Sequence, residues 1–248
     1  MKKIHILLLT GLLTLAMVCC GMVGTASGAS FYIDYGAYSF GKMEDKIYNN
    51  QAFNYEAQDF TPLAAGMNFS FYNIKLGAEY QSGMEPQYDS GLSDEVMTAT
   101  DDTILGSLGI RLLDRERFEL WLNGYYFNRD FKLTGNNTNG MMKYTTEAYL
   151  IGPEFNWKIT DKLQFGGYLG YAASANQKVN TVANGDLDCS DITVLLYNIK
   201  LNYAITDHLA VGAGYRAKEV SSKLPIGAFD AEFTETQRMA TVGVTFNF

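Results

Sequence analysis

The sequence predicts an all-β protein, a transmembrane antiparallel up-and-down β-barrel of about ten strands, with eight strands also compatible. Three observations predict it. Apolar and polar residues alternate with period two through segment after segment, so each segment has one greasy face and one wet face. The segments run about 10 residues, the length a tilted strand needs to cross a bilayer. The final stretch, 241–248, has the same design: Val242, Val244, Phe246 and Phe248 share one face, and Thr241, Gly243, Thr245 and Asn247 share the other.

The elements follow in order. Lys2 and Lys3 precede an apolar run over 4–18, and small residues follow through Gly24, Thr25, Ala26, Ser27, Gly28 and Ala29. This pattern predicts a cleaved secretory signal over 1–29 and a single barrel domain over 30–248. An anchoring helix is the alternative, but the run falls short of the roughly 20 residues that span a bilayer. Lipidation at Cys19 or Cys20 lacks the small preceding residue that its signal favours. Strands are expected near 31–40, 61–72, 74–82, 103–113, 118–129, 144–159, 163–175, 191–205, 208–220 and 234–248. The connections alternate. Short turns fall at 72–74, 114–117, 160–162 and 206–207, and long polar loops at 41–60, 83–102, 130–143, 176–190 and 221–233. Short periplasmic turns opposite long external loops are the asymmetry of bacterial barrels, and they put both termini in the periplasm.

Two segments fit less well. Pro153 sits inside a strand where it cannot donate to a ladder, so a bulge is expected at Gly152-Pro153. In 118–129 the phase is ambiguous, because Phe118, Leu120 and Leu122 share one face while Trp121, Tyr125 and Phe127 share the other.

Composition agrees with a strand-built wall: 17 Tyr, 24 Gly and only 4 Pro. Once the signal is removed Cys189 stands alone, which excludes an internal disulfide and a cysteine metal site. A net charge of -8 disfavours nucleic acid as a partner. No cofactor is expected.

One internal echo supports regular hairpins. The run 157–166 (WKITDKLQFG) matches 203–212 (YAITDHLAVG), and each places an Asp in a turn where its side chain can bond the local backbone. This turn, with the leader and the terminal Phe248, resembles those of small bacterial outer-membrane β-barrel proteins of the OmpA/OmpW-like superfamily. The resemblance spans essentially the whole mature chain. It implies outer-membrane lipid and lipopolysaccharide as surroundings, the barrel assembly machinery as a partner during insertion, and Val242, Val244, Phe246 and Phe248 as the C-terminal assembly signal. It departs in strand number, since those families usually have eight.

Alternation alone does not say which face is inside, and a soluble β-barrel binding an apolar ligand would show the same period. The polar face, rich in glycine and charge, suits a wet lumen. Aromatics near strand ends at Trp157, Tyr171, Tyr203, Tyr215 and Phe118 suit two membrane interfaces.

Candidate chemistry is sparse. The mature chain has one histidine, His208, beside Asp207 in an expected periplasmic turn, so no hydrolytic constellation at the outer rim is expected and the protein reads as a non-enzyme. Inward faces are expected to carry Asp34, Lys75, Glu79, Arg111, Glu119, Glu154, Lys158, Lys200, Arg216 and Lys218. Bare charge in a narrow lumen costs several kcal/mol, so these residues are expected to pair into a network that fills the barrel. The alternative is a narrow channel in which the same charges select ions or small solutes. Asp186, Asp188 and Asp191 form a weak calcium candidate whose spacing matches no known calcium loop. Arg238 falls on the lipid-facing parity near the outer rim. The expectation is therefore an integral outer-membrane barrel with a structural or surface role.

Overall fold

A computed structural model describes residues 28–47, 51–58, 60–83, 87–89, 96–135, 141–181, 185–226 and 229–248. The leader expected over 1–29 lies outside these residues except for Gly28 and Ala29, which open the first strand.

Among the described residues thirteen strands build the wall: β1 (Gly28–Ile47), β2 (Gln51–Gln58), β3 (Leu63–Phe71), β4 (Ile74–Gly83), β5 (Gln87–Asp89), β6 (Val96–Arg115), β7 (Phe118–Gly135), β8 (Met141–Lys158), β9 (Leu163–Thr181), β10 (Gly185–Asp188), β11 (Ser190–Ala204), β12 (Leu209–Ile226) and β13 (Phe229–Asn247). Ten of them close a ring, in the order β1, β3, β4, β6, β7, β8, β9, β11, β12, β13 and back to β1. The three short strands continue the wall above their neighbours. β2 takes over from β3 beside the far half of β1, β5 continues β4 beside β6, and β10 pairs the end of β9. Every pairing is antiparallel, and closure runs from Ser30↔Asn247 to Lys46↔Glu232.

Each hairpin turn is built from local chemistry. Tyr72 takes a φ of 51° in the two-residue turn between β3 and β4. The turns at 159–162 and 205–208 are copies of each other. In one, Thr160 Oγ1 accepts from Lys162 N (3.3 Å) and Leu163 N (3.0 Å); in the other, Thr206 Oγ1 accepts from His208 N (3.2 Å) and Leu209 N (3.0 Å). The threonine, and not the expected aspartate, supplies the local cap. Asp161 and Asp207 point to solvent.

Four ladder irregularities among the described residues set the phase of the wall. The β1–β13 register shifts between Gly36 and Tyr38, the β6–β7 register between Arg111 and Leu113, the β8–β9 register between Tyr149 and Leu150, and the β11–β12 register between Ser190 and Thr193. The bulge expected at Gly152-Pro153 is therefore displaced to Tyr149/Leu150. At Gly152 the neighbouring strand comes so close that an added Cβ would collide with the carbonyl of Leu169. That approach explains the glycine. Pro153 stays opposite Leu122 on the β7 side with its ring outside, while the β8–β9 ladder skips Gly152 and Pro153 without a change of register, as expected where a donor is missing. The ambiguous phase of β7 resolves with Trp121, Asn123, Tyr125, Phe127, Arg129, Phe131 and Leu133 all pointing inward and buried.

The wall changes polarity along its length. In the half nearest the hairpin turns, apolar residues point out: Ile199 is 43 % exposed, Leu201 42 % and Phe246 40 %, whereas the side chain of Lys200 keeps 13 % and that of Glu154 21 %. Apolar surface faces outward here and charge faces inward, the reverse of a soluble barrel. In the opposite half the order is exchanged. Asp102, Asn128, Asp130, Lys143, Glu147, Lys178, Glu219, Thr236 and Arg238 alternate with buried neighbours and lie at the surface. Met43, Ala99, Phe131, Leu133, Tyr144, Val179, Leu224 and Phe233 pack the interior. This half contains much of what the sequence suggested as loops 83–102, 130–143, 176–190 and 221–233. Those segments are strand because their backbone pairs continuously, although their apolar residues sit on the opposite face from that of a lipid-crossing strand.

Candidate functional site in the barrel lumen

The lumen is layered. At the turn end a cavity of about 510 Å³ opens between the strands and is lined by Tyr32, Lys75, Trp121, Tyr125, Tyr168 and Asn202, among others. Its floor is a cluster of ion pairs. Lys200 Nζ lies 2.5 Å from Asp34 Oδ1, Arg216 Nη1 lies 2.6 Å from Glu79 Oε1, and Arg216 Nη2 lies 3.5 Å from Asp34 Oδ2. Tyr32 donates to Glu79 (2.5 Å), and Lys75 pairs with Glu154, which also accepts from Asn123 Nδ2 at 2.6 Å. Beyond this floor lies an apolar layer of Leu105, Tyr125, Phe127, Ala148, Leu150, Val194, Leu196 and Val220.

A second charge cluster interleaves with that layer. Arg129 lies 2.8 Å (Nε) from Asp101 Oδ1 and donates through Nη2 to Asp101 Oδ2 at 2.9 Å. It also pairs with Glu235, while Lys218 Nζ reaches Asp101 Oδ2 at 2.7 Å and Thr103 Oγ1 at 3.1 Å. Gln237 donates to Glu235 at 2.8 Å. The side chains of Arg129, Asp101 and Glu235 each retain 2 % exposure or less. Charges this dry persist only when paired, and here every one has a partner. The apolar end cluster lies above them.

The sequence-derived charges divide accordingly. Asp34, Lys75, Glu79, Glu154, Lys200 and Arg216 join the floor of the cavity. Lys218 belongs to the second cluster. Arg111 and Glu119 sit at the turn-end mouth, where Arg111 pairs with Asp114 (2.8 Å) and lies 3.6 Å from Glu119, its guanidinium 5.3 Å from the Trp121 ring centroid. Lys158 is a correction: it is exposed at the end of β8, where it lines a recess at the turn-end mouth with Glu119 and Gln164, and it enters no ion pair among the described residues. Sequence reading missed Asp101, Arg129 and Glu235, which it assigned to a loop or a strand end. With them included, six inward carboxylates (Asp34, Glu79, Asp101, Glu119, Glu154, Glu235) face six cations (Lys75, Arg111, Arg129, Lys200, Arg216, Lys218). The excess of basic residues in the sequence-derived set is thereby neutralised.

A repeat invisible in the linear sequence shapes the cavity. Asn68 lies opposite Gly77, Asn123 opposite Gly109, Asn156 opposite Gly166, Asn202 opposite Gly212, and Asp34 opposite Gly243. These five ladder pairs occupy β3/β4, β6/β7, β8/β9, β11/β12 and β13/β1, which together are the whole ring. In every pair the Oδ1 oxygen is a near neighbour of the place where the glycine's Cβ would stand, at 2.7 Å for Asn68 and 3.1 Å for Asn156, and in outright overlap for Asn123, Asn202 and Asp34. Glycine is needed at these places for a close approach. It lets a short polar side chain lie flat on the neighbouring strand and leave the centre open. Tyr32 rests on Gly66 in the same way.

The remaining candidates lie outside the lumen. Val242, Val244, Phe246 and Phe248 share the outward face at the closing seam, where Phe248 N donates to Ala29 O at 2.9 Å. Among the described residues no group of three acidic, His or Cys side chains could hold a metal ion. Asp186 instead accepts from Asn180 (2.5 Å), and Asp191 pairs with Lys223 (2.7 Å). His208 lies in the β11–β12 turn with Nδ1 3.1 Å from Asn247 O, tying the turn to the end of β13. Cys189, between β10 and β11, is half-buried against the apolar end cluster. Burial pushes its thiol pKa up.

No family model and no curated protein matches the chain. Among solved structures it is similar to the translocator domain of the autotransporter NalP from Neisseria meningitidis, with 14 % identity, a TM-score of 0.46, and coverage of 95 % of this chain and 94 % of that one. It is also similar to Neisserial surface protein A, with 10 % identity, a TM-score of 0.40, and coverage of 89 % and 99 %. A third is Ail, the attachment invasion locus protein of Yersinia pestis, with 12 % identity, a TM-score of 0.33, and coverage of 89 % and 98 %. Ring closure, an even strand number, short turns at one end and an outward apolar belt are the construction rules of transmembrane barrels. On that geometry the chain has the fold of a bacterial outer-membrane β-barrel, with ten strands in its wall.

Proposed function

We propose that the protein is an integral outer-membrane barrel with a closed lumen, acting as a structural or surface element of the envelope and not as a through-channel. The observation that carries this reading is the filled interior. Tyr88, Phe127, Phe131, Met43 and Val179 are buried to below 2 % exposure around the Arg129–Asp101 pair, so an ion entering at the turn end meets a dry, paired cluster and then a packed apolar layer. Moving a charge through such a layer without a partner costs several kcal/mol. The belt of exposed Leu, Ile, Val and aromatic side chains supports residence in lipid, because a soluble protein would leave that much contiguous apolar surface in water.

In this reading both termini and the hairpin turns face the periplasm, and the polar-walled half projects outward. Val242, Val244, Phe246 and Phe248 present the edge that the assembly machinery recognises, and lipid and lipopolysaccharide surround the belt. Planar-bilayer recording of purified protein tests the closed lumen, with no unitary steps above background expected. Reproducible conductance steps would replace this reading with a narrow channel. Membrane fractionation tests the location separately: recovery without detergent in the soluble periplasm would overturn it.

A further inference from the structure

We propose that the turn-end cavity is a binding vestibule for a neutral saccharide, a disaccharide-sized polyhydroxylated ligand entering from the periplasm. Three features of the lining select that chemistry. The first is charge balance. Lys75, Lys200 and Arg216 are committed to Glu154, Asp34 and Glu79, so these three cations are each matched by a carboxylate of the protein. The second is a set of uncommitted amides. Asn68, Asn156 and Asn202 line the space with their Oδ1 oxygens over glycines, and no protein partner is seen for their amide groups among the described residues. The third is an aromatic wall: Trp121, its ring covered by Lys75 and Arg111, lines the space, and the partly exposed Tyr168 ring lies 5.6 Å from that of Tyr125. Side-chain amides to bond hydroxyls and the Tyr168 ring to pack against the apolar side of a sugar ring are complementary to a neutral pyranoside. The volume of about 510 Å³ falls within the range of small-molecule sites.

The glycine repeat makes this a built site. Four hairpin pairs and the closing β1–β13 pair each spend a glycine to lay a polar side chain flat, and the effect is to widen the lumen at this end. A barrel that required only stiffness would fill it with larger side chains, as it does higher up.

The proposal rests on the outer-membrane reading only for the side from which the ligand arrives. Its test does not. The chain has two tryptophans, and Trp157 lies on the outer surface, so Trp157→Phe leaves Trp121 as an internal reporter. In that background the full mature barrel, in phosphatidylcholine nanodiscs free of glycoside detergent, is titrated with N,N′-diacetylchitobiose. The expected result is a saturable change in Trp121 emission, with affinity about tenfold weaker in Asn156→Ala or Asn202→Ala, the loss of roughly one hydrogen bond. Asn176→Ala, on the outer face, should leave affinity unchanged. Heat-modifiable migration confirms that each variant is closed; should Asn202→Ala fail to close, Gln164→Ala at the mouth reads the same site. No saturable change, equal affinity in wild type and the amide variants, or tighter binding of glucosamine or glucuronate than of chitobiose would overturn the proposal. Loss of chitobiose binding would leave the membrane placement intact.

Discussion

Gly109→Ala tests whether the glycine–asparagine repeat is a packing requirement. Asn123 is 1 % exposed, and its Nδ2 donates to Glu154 Oε2 at 2.6 Å and to Tyr125 Oη at 3.0 Å. A Cβ on Gly109 would overlap Asn123 Oδ1 and come within 3.1 Å of Cγ, so the side chain has to rotate away. Rotation breaks the bond to Glu154, the partner of Lys75, inside the ion-pair floor. Overpacking costs about 1–3 kcal/mol and a lost buried hydrogen bond adds about 1, giving an expected destabilisation of about 2–4 kcal/mol. Gly124→Ala is the matched control one residue along the partner strand: it faces outward, and its new Cβ would meet only Leu108 O at 4.0 Å. That change should fall within about 0.5 kcal/mol of wild type. Urea unfolding of barrels refolded into lipid vesicles, followed by tryptophan emission and gel migration, reads both. Adding Asn123→Gly to Gly109→Ala removes the overlap, so the double mutant should be more stable than the sum of the singles. Equal midpoints for Gly109→Ala and Gly124→Ala would refute the reasoning.

Three further outcomes follow from the same geometry. Arg129→Met strips the partner from Asp101 and Glu235 in a dry layer, so it should cost about 3–5 kcal/mol, and adding Glu235→Gln should restore part of that in the same urea assay. Thr160→Val and Thr206→Val should each cost about 1 kcal/mol and add, since the turns are separate, whereas Asp161→Ala and Asp207→Ala should cost less. The raised Cys189 thiol pKa leaves less thiolate at pH 8 than an exposed cysteine has, so iodoacetamide should label it more slowly in the folded barrel than in urea; the folded rate should climb as pH rises, and equal rates would contradict the burial.

Much of the wall was legible in the sequence because period-two alternation is a local property, and all ten ring strands overlap the segments it marks. Strand ends were not legible. Segments such as 130–135 and 176–181 keep their pairing while exchanging which face is greasy, and polar residues beside short apolar ones resemble a loop when the template is a lipid-crossing strand. The lumen charges on β1, β4, β11 and β12 could be read by parity. Asp101, Arg129 and Glu235 could not, because their partners lie on strands distant in the chain. The asparagine–glycine repeat was equally hidden: each glycine follows or precedes its asparagine by 9–14 positions in four of the hairpins, and only the ladder register makes them neighbours.

The exchange of polarity has a consequence for how the cell surface is presented. Six to eight strand residues beyond the greasy zone, rising about 3.3 Å each and tilted by about 40°, form a rigid column roughly 15–20 Å tall. In the proposed orientation, a column of that height would carry the polar end of the wall clear of the bilayer, so changes on its outer face should leave the part anchored in fat undisturbed.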